Sequence, residues 1–230
     1  TVVRDGRLHG PGDTYWLPHC QLVEAALADW RRADFALEQK VIQASLVSAY
    51  INDGWKSHGT SVLHRRGGDR EARRRRQAAQ IIQSIVTNAI HADDGSVAWI
   101  APVFTTTGWS VQPLQQDFYN GISGLTLLLG AYLHETAAGR ADAIHELDTL
   151  FAAALHTLHL DEAKRERLRD EGLKVRPLPP GAYLGLGSQI WTYLVLAHWE
   201  LDGGDGLQRA RRLADQIPAA AAVDDIYDLL

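Results

Sequence analysis

Two stretches of this 230-residue chain are apolar on every side of a helix, and each is followed by a stretch that is apolar on one side only. Residues 122–134 and 190–199 are of the first kind, and residues 144–158 and 207–217 are of the second. A helix that is apolar all round must be wrapped by other helices, whereas a one-faced helix lies on the outside. The alternation therefore predicts helical hairpins, each with an inner and an outer helix.

The two inner helices begin with similar segments that lie 64 residues apart, FYNGISG at 118–124 and AYLGLGS at 182–188. The same offset places His134 on His198, and residues 226–230 resemble a third, shortened start. Glycine lets backbones approach closely, and small polar residues can satisfy free N–H groups. Such starts at one end of a ring would present backbone donors that favour a carboxylate or a developing anion.

Three further helices are predicted upstream of the hairpins, and a polar, glycine-bearing stretch at 52–68 separates the second from the third. We find no strict two-residue alternation, so no strand is expected, and a loop containing Trp99, Trp109 and Pro113 is predicted after the third helix. The fold class is therefore all-α, a partial α/α toroid preceded by a short helical segment. The apolar positions that define the three helices are Leu22, Ala26, Trp30; Phe35, Val41, Ile42, Leu46; and Ala78, Ile81, Ile82, Ile85, Ala89.

The composition argues against some classes of function. The net charge is −5, so nucleic acid is not expected as a partner. Neither a membrane span nor a signal peptide is visible, which makes a cytoplasmic setting the default. The lone Cys20 is interpreted as a small buried side chain, because neither it nor the histidines show metal-ligand spacing. The chain has no methionine and stops where an apolar helix begins, so we expect a fragment cut at both ends.

Several polar features have competing interpretations. The arginines at 73–76 are interpreted as a solvated first turn rather than a contact for an acidic peptide. The charged stretch at 161–171 is interpreted as a solvated linker, with a substrate-guiding loop as the alternative. His156 and His159 are expected at the surface. Asp228 in the third start is either a helix N-cap or an active-site carboxylate.

Four ordered segments resemble class II lanthipeptide synthetases of the LanM type. ADFALEQKVIQASL at 33–46 resembles the end of the dehydratase region, and Trp99-Ile100 with DFYNGISGL at 117–125 resembles the beginning of the LanC-like cyclase domain. GAYLGLGS at 181–188 and YDLL at 227–230 resemble the second and third helix starts, although Ser188 stands where the family more often has glycine. The resemblance implies a dehydratase tail and linker at 1–68 and a truncated α/α-barrel cyclase at 69–230.

The resemblance also implies chemistry. The family dehydrates Ser and Thr of a precursor peptide, using ATP and Mg²⁺, and then adds cysteine thiols to form thioether rings. Zn²⁺ held by two cysteines and a histidine lowers the thiol pKa, and an acid protonates the enolate. The zinc ligands are expected beyond Leu230, so no metal, ATP or other cofactor is expected on this piece, which should be inactive alone. Asp228 matches the aspartate of the family's Tyr-Asp motif and is the candidate catalytic residue.

Two other functions remain open. A glycoside hydrolase on a related six-hairpin ring needs two carboxylates about 5 to 9.5 Å apart, and Asp224, Asp225 and Asp228 are the candidates. Its sugars could stack on aromatic residues such as Trp99, Trp109, Tyr119 and Tyr183. A non-catalytic helical scaffold would instead form a curved solenoid with separated ends.

Overall fold

A computed structural model describes residues 2–4, 7–9, 19–32, 35–52, 69–105, 108–173, 175 and 177–224. The chain is mostly helical, as predicted, with short antiparallel hairpins in addition. The helices are α1 (His19–Arg32), α2 (Phe35–Asn52), α3 (Arg70–Thr87), α4 (Ile122–Ala137), α5 (Leu147–Asp170), α6 (Leu186–His198), α7 (Gly206–Ala214) and α8 (Ile217–Ala221). The strands are β1 (Val2–Arg4), β2 (Arg7–His9), β3 (Ile90–His91), β4 (Val97–Ala98), β5 (Ile100–Thr105) and β6 (Gly108–Pro113).

The chain divides into two compact units, residues 1–42 and 43–230. The first unit contains the β1–β2 hairpin, α1 and the beginning of α2. Its apolar positions Leu22 and Trp30 are exposed, and the Trp30 ring meets that of Phe35 edge-on with centroids 5.5 Å apart. The boundary predicted between residues 68 and 69 stays a prediction.

In the second unit, α3 is capped by Asp69, whose Oδ1 accepts a hydrogen bond from the Glu71 N–H at 2.8 Å. Ile82 is buried as predicted, with Ala78, Ile85 and Ala89 packed against the same core. Ile81, predicted on this stripe, is half exposed, because it lies at the margin of the buried face.

Of the arginines that open α3, Arg74 is solvent-exposed as predicted, whereas Arg75 contacts the end of the α4 hairpin. Arg74 pairs with Glu71 at 3.2 Å on the exposed side. Arg75 donates to the Gly139 carbonyl and lies 4.0 Å from Asp142, which ties α3 to the end of the α4 hairpin. An acidic peptide at this cluster is not needed to explain Arg75.

The expectation of no strand is wrong. β3 pairs with β4 around a turn in which Gly95 has φ +81° and Asp94 Oδ1 accepts from the Ser96 N–H at 2.9 Å. Asp-Gly is a hairpin signal that the search for long alternation missed, because these strands are too short to alternate visibly. β5 pairs with β6 from Ile100↔Pro113 to Thr105↔Gly108.

Two contacts fasten the β3–β4 hairpin and the residue that follows it, Trp99, to the helices. Trp99 is buried and its Nε1–H donates to the Ile85 carbonyl at 2.9 Å. Thr157 on α5 accepts from the Val97 N–H at 2.9 Å and donates to the Val97 carbonyl at 3.0 Å. The segment predicted as loop therefore bridges α3 and α5.

The hairpin order predicted for the C-terminal half is confirmed in its pairwise contacts. α4 packs against α5 and against α6, and α6 packs against α7. On α5 the predicted face is buried, including Leu147, Phe151, Leu155 and Leu158. On α7 the buried positions are Ala210 and Leu213, whereas Leu207, predicted on this face, is exposed.

Two expectations about the hairpins are wrong. Residues 161–171 are not a linker, because α5 continues to Asp170 and buries Glu162 against Arg209 of α7. The inner helices are also not wrapped on every side within the described residues. Leu128 on α4 and Trp191 and Leu194 on α6 are 42%, 57% and 39% exposed, so each of these two helices leaves apolar side chains uncovered.

Candidate functional site

The beginnings of α4 and α6 lie side by side. We call residues 115–124 the first start segment and residues 179–188 the second, and together they form the start rim. The Tyr183 carbonyl accepts hydrogen bonds from the N–H groups of Phe118 at 3.0 Å and Tyr119 at 3.2 Å. The rings of Phe118 and Tyr183 meet edge-on with centroids 6.2 Å apart. The two starts therefore share one end of the helix pair.

Both start segments close with the same backbone bond. The Ile122 N–H donates to the Gln115 carbonyl at 2.7 Å, and the Leu186 N–H donates to the Pro179 carbonyl at 2.8 Å. Donor and acceptor are each displaced by 64 residues, as the sequence alignment predicts. The glycine before each helix, Gly121 or Gly185, has an extended backbone. A Cβ on Gly121 would overlap the carbonyl oxygen of Asp117, and a Cβ on Gly185 would overlap that of Pro179. Glycine is necessary at these two positions because other backbone atoms of the same segment approach it closely.

The start rim offers fewer free donors than the sequence suggests. In the second start segment the Gly187 N–H donates to the Pro180 carbonyl at 3.3 Å, and the Ser188 N–H donates to the Gly185 carbonyl at 3.1 Å. With Ile122 and Leu186 also bonded, these helix-start donors are already used within the chain. The expectation that they would receive a carboxylate or anion is therefore wrong for these groups.

The helix repeat changes register toward its far end. α4 has 16 residues and α6 has 13, and the closing bonds run from Arg140 N–H to the Glu135 carbonyl and from Leu201 N–H to the Leu196 carbonyl. His134 and His198 are therefore equivalent when counted from the helix starts but not from the ends. His134 instead stacks on Trp199, with centroids 5.2 Å apart and planes 20° apart.

Cavities flank the rim on two sides. On the apolar side, a cavity of about 400 Å³ is lined by Phe118, Tyr183, Trp191 and Leu194 among others. On the polar side lie two pockets of about 290 Å³ each, of which one contains Gln116 and Asp117 and the other Glu162 and Arg169. Asp117 is buried and its Oδ1 accepts from the Asn120 N–H at 2.6 Å, so this carboxylate shapes the first start segment.

The candidate catalytic residue Asp228 lies outside the described residues, as does Asp225 of the glycosidase hypothesis. Asp224 is the last described residue and is partly buried. The side chain of Cys20 also lies outside the described part. The roles proposed for Asp228 therefore stay predictions.

One of the two histidines predicted at the surface is not there. His156 is exposed and its Nε2 lies 3.2 Å from the Asp94 carbonyl. His159 is partly buried and stacks on Tyr193, with centroids 5.9 Å apart. Burial lowers the pKa of His159 and raises that of Tyr193. Its place on the covered side of α5, one turn before Glu162, explains the difference.

Among the residues that the structure describes, no group of three or more His, Cys, Asp or Glu side chains could hold a metal ion. These residues do not fit a zinc site, and the ligands expected beyond Leu230 stay a prediction. Within the same described ranges, no helix combines the length and apolarity needed to cross a membrane.

Comparison with known proteins adds no identification. No protein-family model matches the chain, and no curated protein matches it.

Sequence reasoning missed Gln116 and Gln189, which line the polar side of the rim. The available signal for Gln189 was a glutamine placed among apolar residues at the beginning of an inner helix, where a buried amide needs a partner.

Proposed function

We propose that this chain is part of a class II lanthipeptide synthetase, from the end of the dehydratase region into the first half of the LanC-like cyclase domain. The intact protein would dehydrate Ser and Thr of a precursor peptide and add cysteine thiols to the products. In this proposal α4–α5 and α6–α7 are the first two hairpins of an α/α toroid, and closure of the ring belongs to the proposal.

The observation that carries the proposal is the paired start rim. A toroid of hairpins requires neighbouring inner helices that begin at the same end. The Tyr183 carbonyl bonded to Phe118 and Tyr119 supports this arrangement, as does the direct packing of α4 on α6. The cap bonds at Ile122 and Leu186 repeat with the spacing of the sequence motif. A solenoid would also stack hairpins. These observations therefore support the side-by-side pairing of α4 and α6, and closure of the ring is a separate part of the proposal.

The exposed apolar face of the inner helices fits the same proposal. Leu128, Trp191 and Leu194 face outward from the described core, although they lie on helices that are otherwise packed. Trp191 and Leu194 line one cavity together, and grouped exposed apolar side chains indicate a surface that something covers. Further hairpins of the ring would cover it. This chain alone is accordingly proposed to be inactive.

The proposed role of this chain's residues is to build and hold one side of the rim. Asp117 fixes the first start segment through Asn120, and the two prolines at 179 and 180 accept the first N–H groups of α6. A rim whose donors are internally bonded is rigid, which suits the positioning of a flexible peptide. Asp228 is proposed to act in the third start segment, near the reacting peptide.

The test uses the complete parent protein with ATP, Mg²⁺ and a precursor peptide that contains Ser, Thr and Cys. Mass spectrometry should show loss of water from Ser and Thr, and thiol labelling should show loss of free cysteine. In Asp228→Ala we expect dehydration to continue and ring closure to slow. Glu171→Ala, at an exposed position, is the control. Unmodified peptide with the wild-type protein would contradict the proposed function, and hydrolysis of an oligosaccharide would favour the glycosidase.

A further inference from the structure

The two polar pockets beside the start rim share a wall. Arg165, Leu178 and Gln189 line both of them, so they are neighbours separated by these three side chains. We call the two together the Gln189 pockets. Each has a volume of about 290 Å³, which has room for a short stretch of main chain rather than a folded partner.

Gln189 is buried without a partner. It lies in the first turn of α6, it is 8% exposed, and its amide makes no hydrogen bond to any described residue. Across the pocket, Gln116 Oε1 is buried and also has no partner among the described residues. Buried polar atoms are nearly always hydrogen-bonded, because an unpaired one loses its contacts with water and gains nothing in return. One buried acceptor without a partner, Gln116 Oε1, with the unbonded Gln189 amide in the same pocket wall, points to a ligand.

The charges of the pockets indicate a neutral ligand. Arg165 is paired with Asp161 at 2.7 Å, which neutralises its charge, whereas Arg169 donates to the neutral Gln216 amide at 3.1 Å and keeps its charge. The carboxylates Asp117 and Glu162 also line the walls. Bare anions and bare cations would therefore each meet a like charge.

The unsatisfied groups define the chemistry of that ligand. A primary amide offers N–H donors and a carbonyl acceptor, and its complement is a group with one of each. Gln116 Oε1 requires a donor. A secondary amide of a peptide main chain supplies both a donor and an acceptor, and recurs along an extended segment.

We propose that Gln189 and Gln116 bind the main-chain amides of an extended peptide segment that lies across the Gln189 pockets. That this peptide is the precursor substrate rests on the proposed function, whereas the amide chemistry rests on the pockets alone. The site is a docking site beside the rim and takes no part in bond making.

The first experiment measures stability. Gln189→Met keeps the side-chain volume and removes the amide, so the midpoint of thermal unfolding of the purified chain should stay unchanged or rise by about 2 °C. Gln208→Met, on the exposed face of α7, is the matched control. A midpoint lower than that of the control would show that the Gln189 amide stabilises the fold, and it would overturn the proposal.

The second experiment measures binding with a defined probe, acetyl-Gly-Gly-N-methylamide. NMR titration should shift the side-chain amide signals of Gln189 and Gln116, and Gln189→Met should weaken binding about tenfold. An analogue with N-methylated amides keeps its carbonyls but lacks donors, and it should bind less. Equal binding to Gln189→Met, or no shift at either glutamine, would overturn the proposal by indicating water alone.

The two proposals can fail separately. Probe binding that depends on Gln189, together with a parent protein that leaves the precursor unmodified, would retain the peptide site and remove the synthetase assignment. Cyclisation by the parent protein with no probe shift would do the reverse.

Discussion

The two start segments reach the same backbone geometry with different residues. The first has Ser123 followed by Gly124, and the second has Gly187 followed by Ser188. Ser123 Oγ donates to the Gln116 carbonyl, whereas at the equivalent place the Gly187 N–H donates to the Pro180 carbonyl. The repeat therefore preserves the closing bond of the start and not the order of its small residues.

The reason for the exchange is local crowding. A Cβ on Gly124 would overlap the Phe118 carbonyl, and a Cβ on Gly187 would lie 2.9 Å from the Ala182 Cα. The tight position is thus one residue earlier in the second segment. Ser188 occupies the roomier position, where its Oγ donates to the Gly185 carbonyl at 2.6 Å.

The largest expected effect comes from the position that both segments share. Gly121→Ala and Gly185→Ala should each lower the free energy of unfolding by about 4 kcal/mol or more, because a Cβ would overlap backbone that cannot yield. Urea unfolding followed by circular dichroism measures this. Gly204→Ala is the control, since no atom lies within 4 Å of a Cβ there and only its backbone angle opposes the change. Equal losses at all three sites would remove the argument from close approach.

The outer helix of the second hairpin, α7, is attached to α5 through a buried carboxylate. Glu162 on α5 bonds Arg209 at 2.6 Å and Arg212 at 3.2 Å, in a setting where the Glu162 side chain is 7% exposed. Glu162→Ala would leave Arg209 covered without its main partner, so we expect a loss of about 3 kcal/mol in the free energy of unfolding. Glu166→Ala removes a more exposed carboxylate 3.9 Å from Arg212 and should cost little. Similar values for both variants would contradict the importance of burial.

Exchanging the small residues between the two start segments tests which position in each segment is crowded. Gly124→Ser copies the second segment into the first and should cost about 2 kcal/mol, because its Cβ meets the Phe118 carbonyl. Ser188→Gly copies the first into the second and should cost about 1 kcal/mol, through loss of the bond to Gly185 and greater freedom when unfolded. Thermal unfolding compares the two. If Ser188→Gly proved the more damaging, the assignment of the tight position would be wrong.

The smallest effect concerns His159, which joins α5 to Tyr193 of the second hairpin. Burial lowers the pKa of His159 and the charge of Arg209 adds to this, so the unfolded chain binds a proton that the folded chain does not. The free energy of unfolding should therefore fall as the pH drops below about 6.5, and this decline should end below the lowered pKa. His159→Phe keeps a ring against Tyr193 and should flatten the dependence in urea unfolding between about pH 5 and pH 8. His145→Phe, at an exposed position, should leave it unchanged.

Some features could be predicted because they depend on spacing along the chain. The stripe on α5 and the repeat of Gly121 at Gly185 both follow from local periodicity and close backbone packing. The β3–β4 hairpin could have been found as well, since Asp94-Gly95 carries the turn. The helical nature of residues 161–170 was missed because their charges were assumed to face water.

The sequence by itself determined the helices of the C-terminal half, their order in hairpins and the two equivalent starts, because periodicity and glycine placement act within a few residues. Only the tertiary structure decided that Glu162 and His159 are covered, that the helix-start donors are already bonded, and that Gln116 and Gln189 come together. The helix-start bonds span only three to seven residues, whereas Glu162 and Arg209 are 47 residues apart and His159 and Tyr193 are 34 residues apart. The burial of a polar group is set by what packs against it and not by its neighbours in the chain.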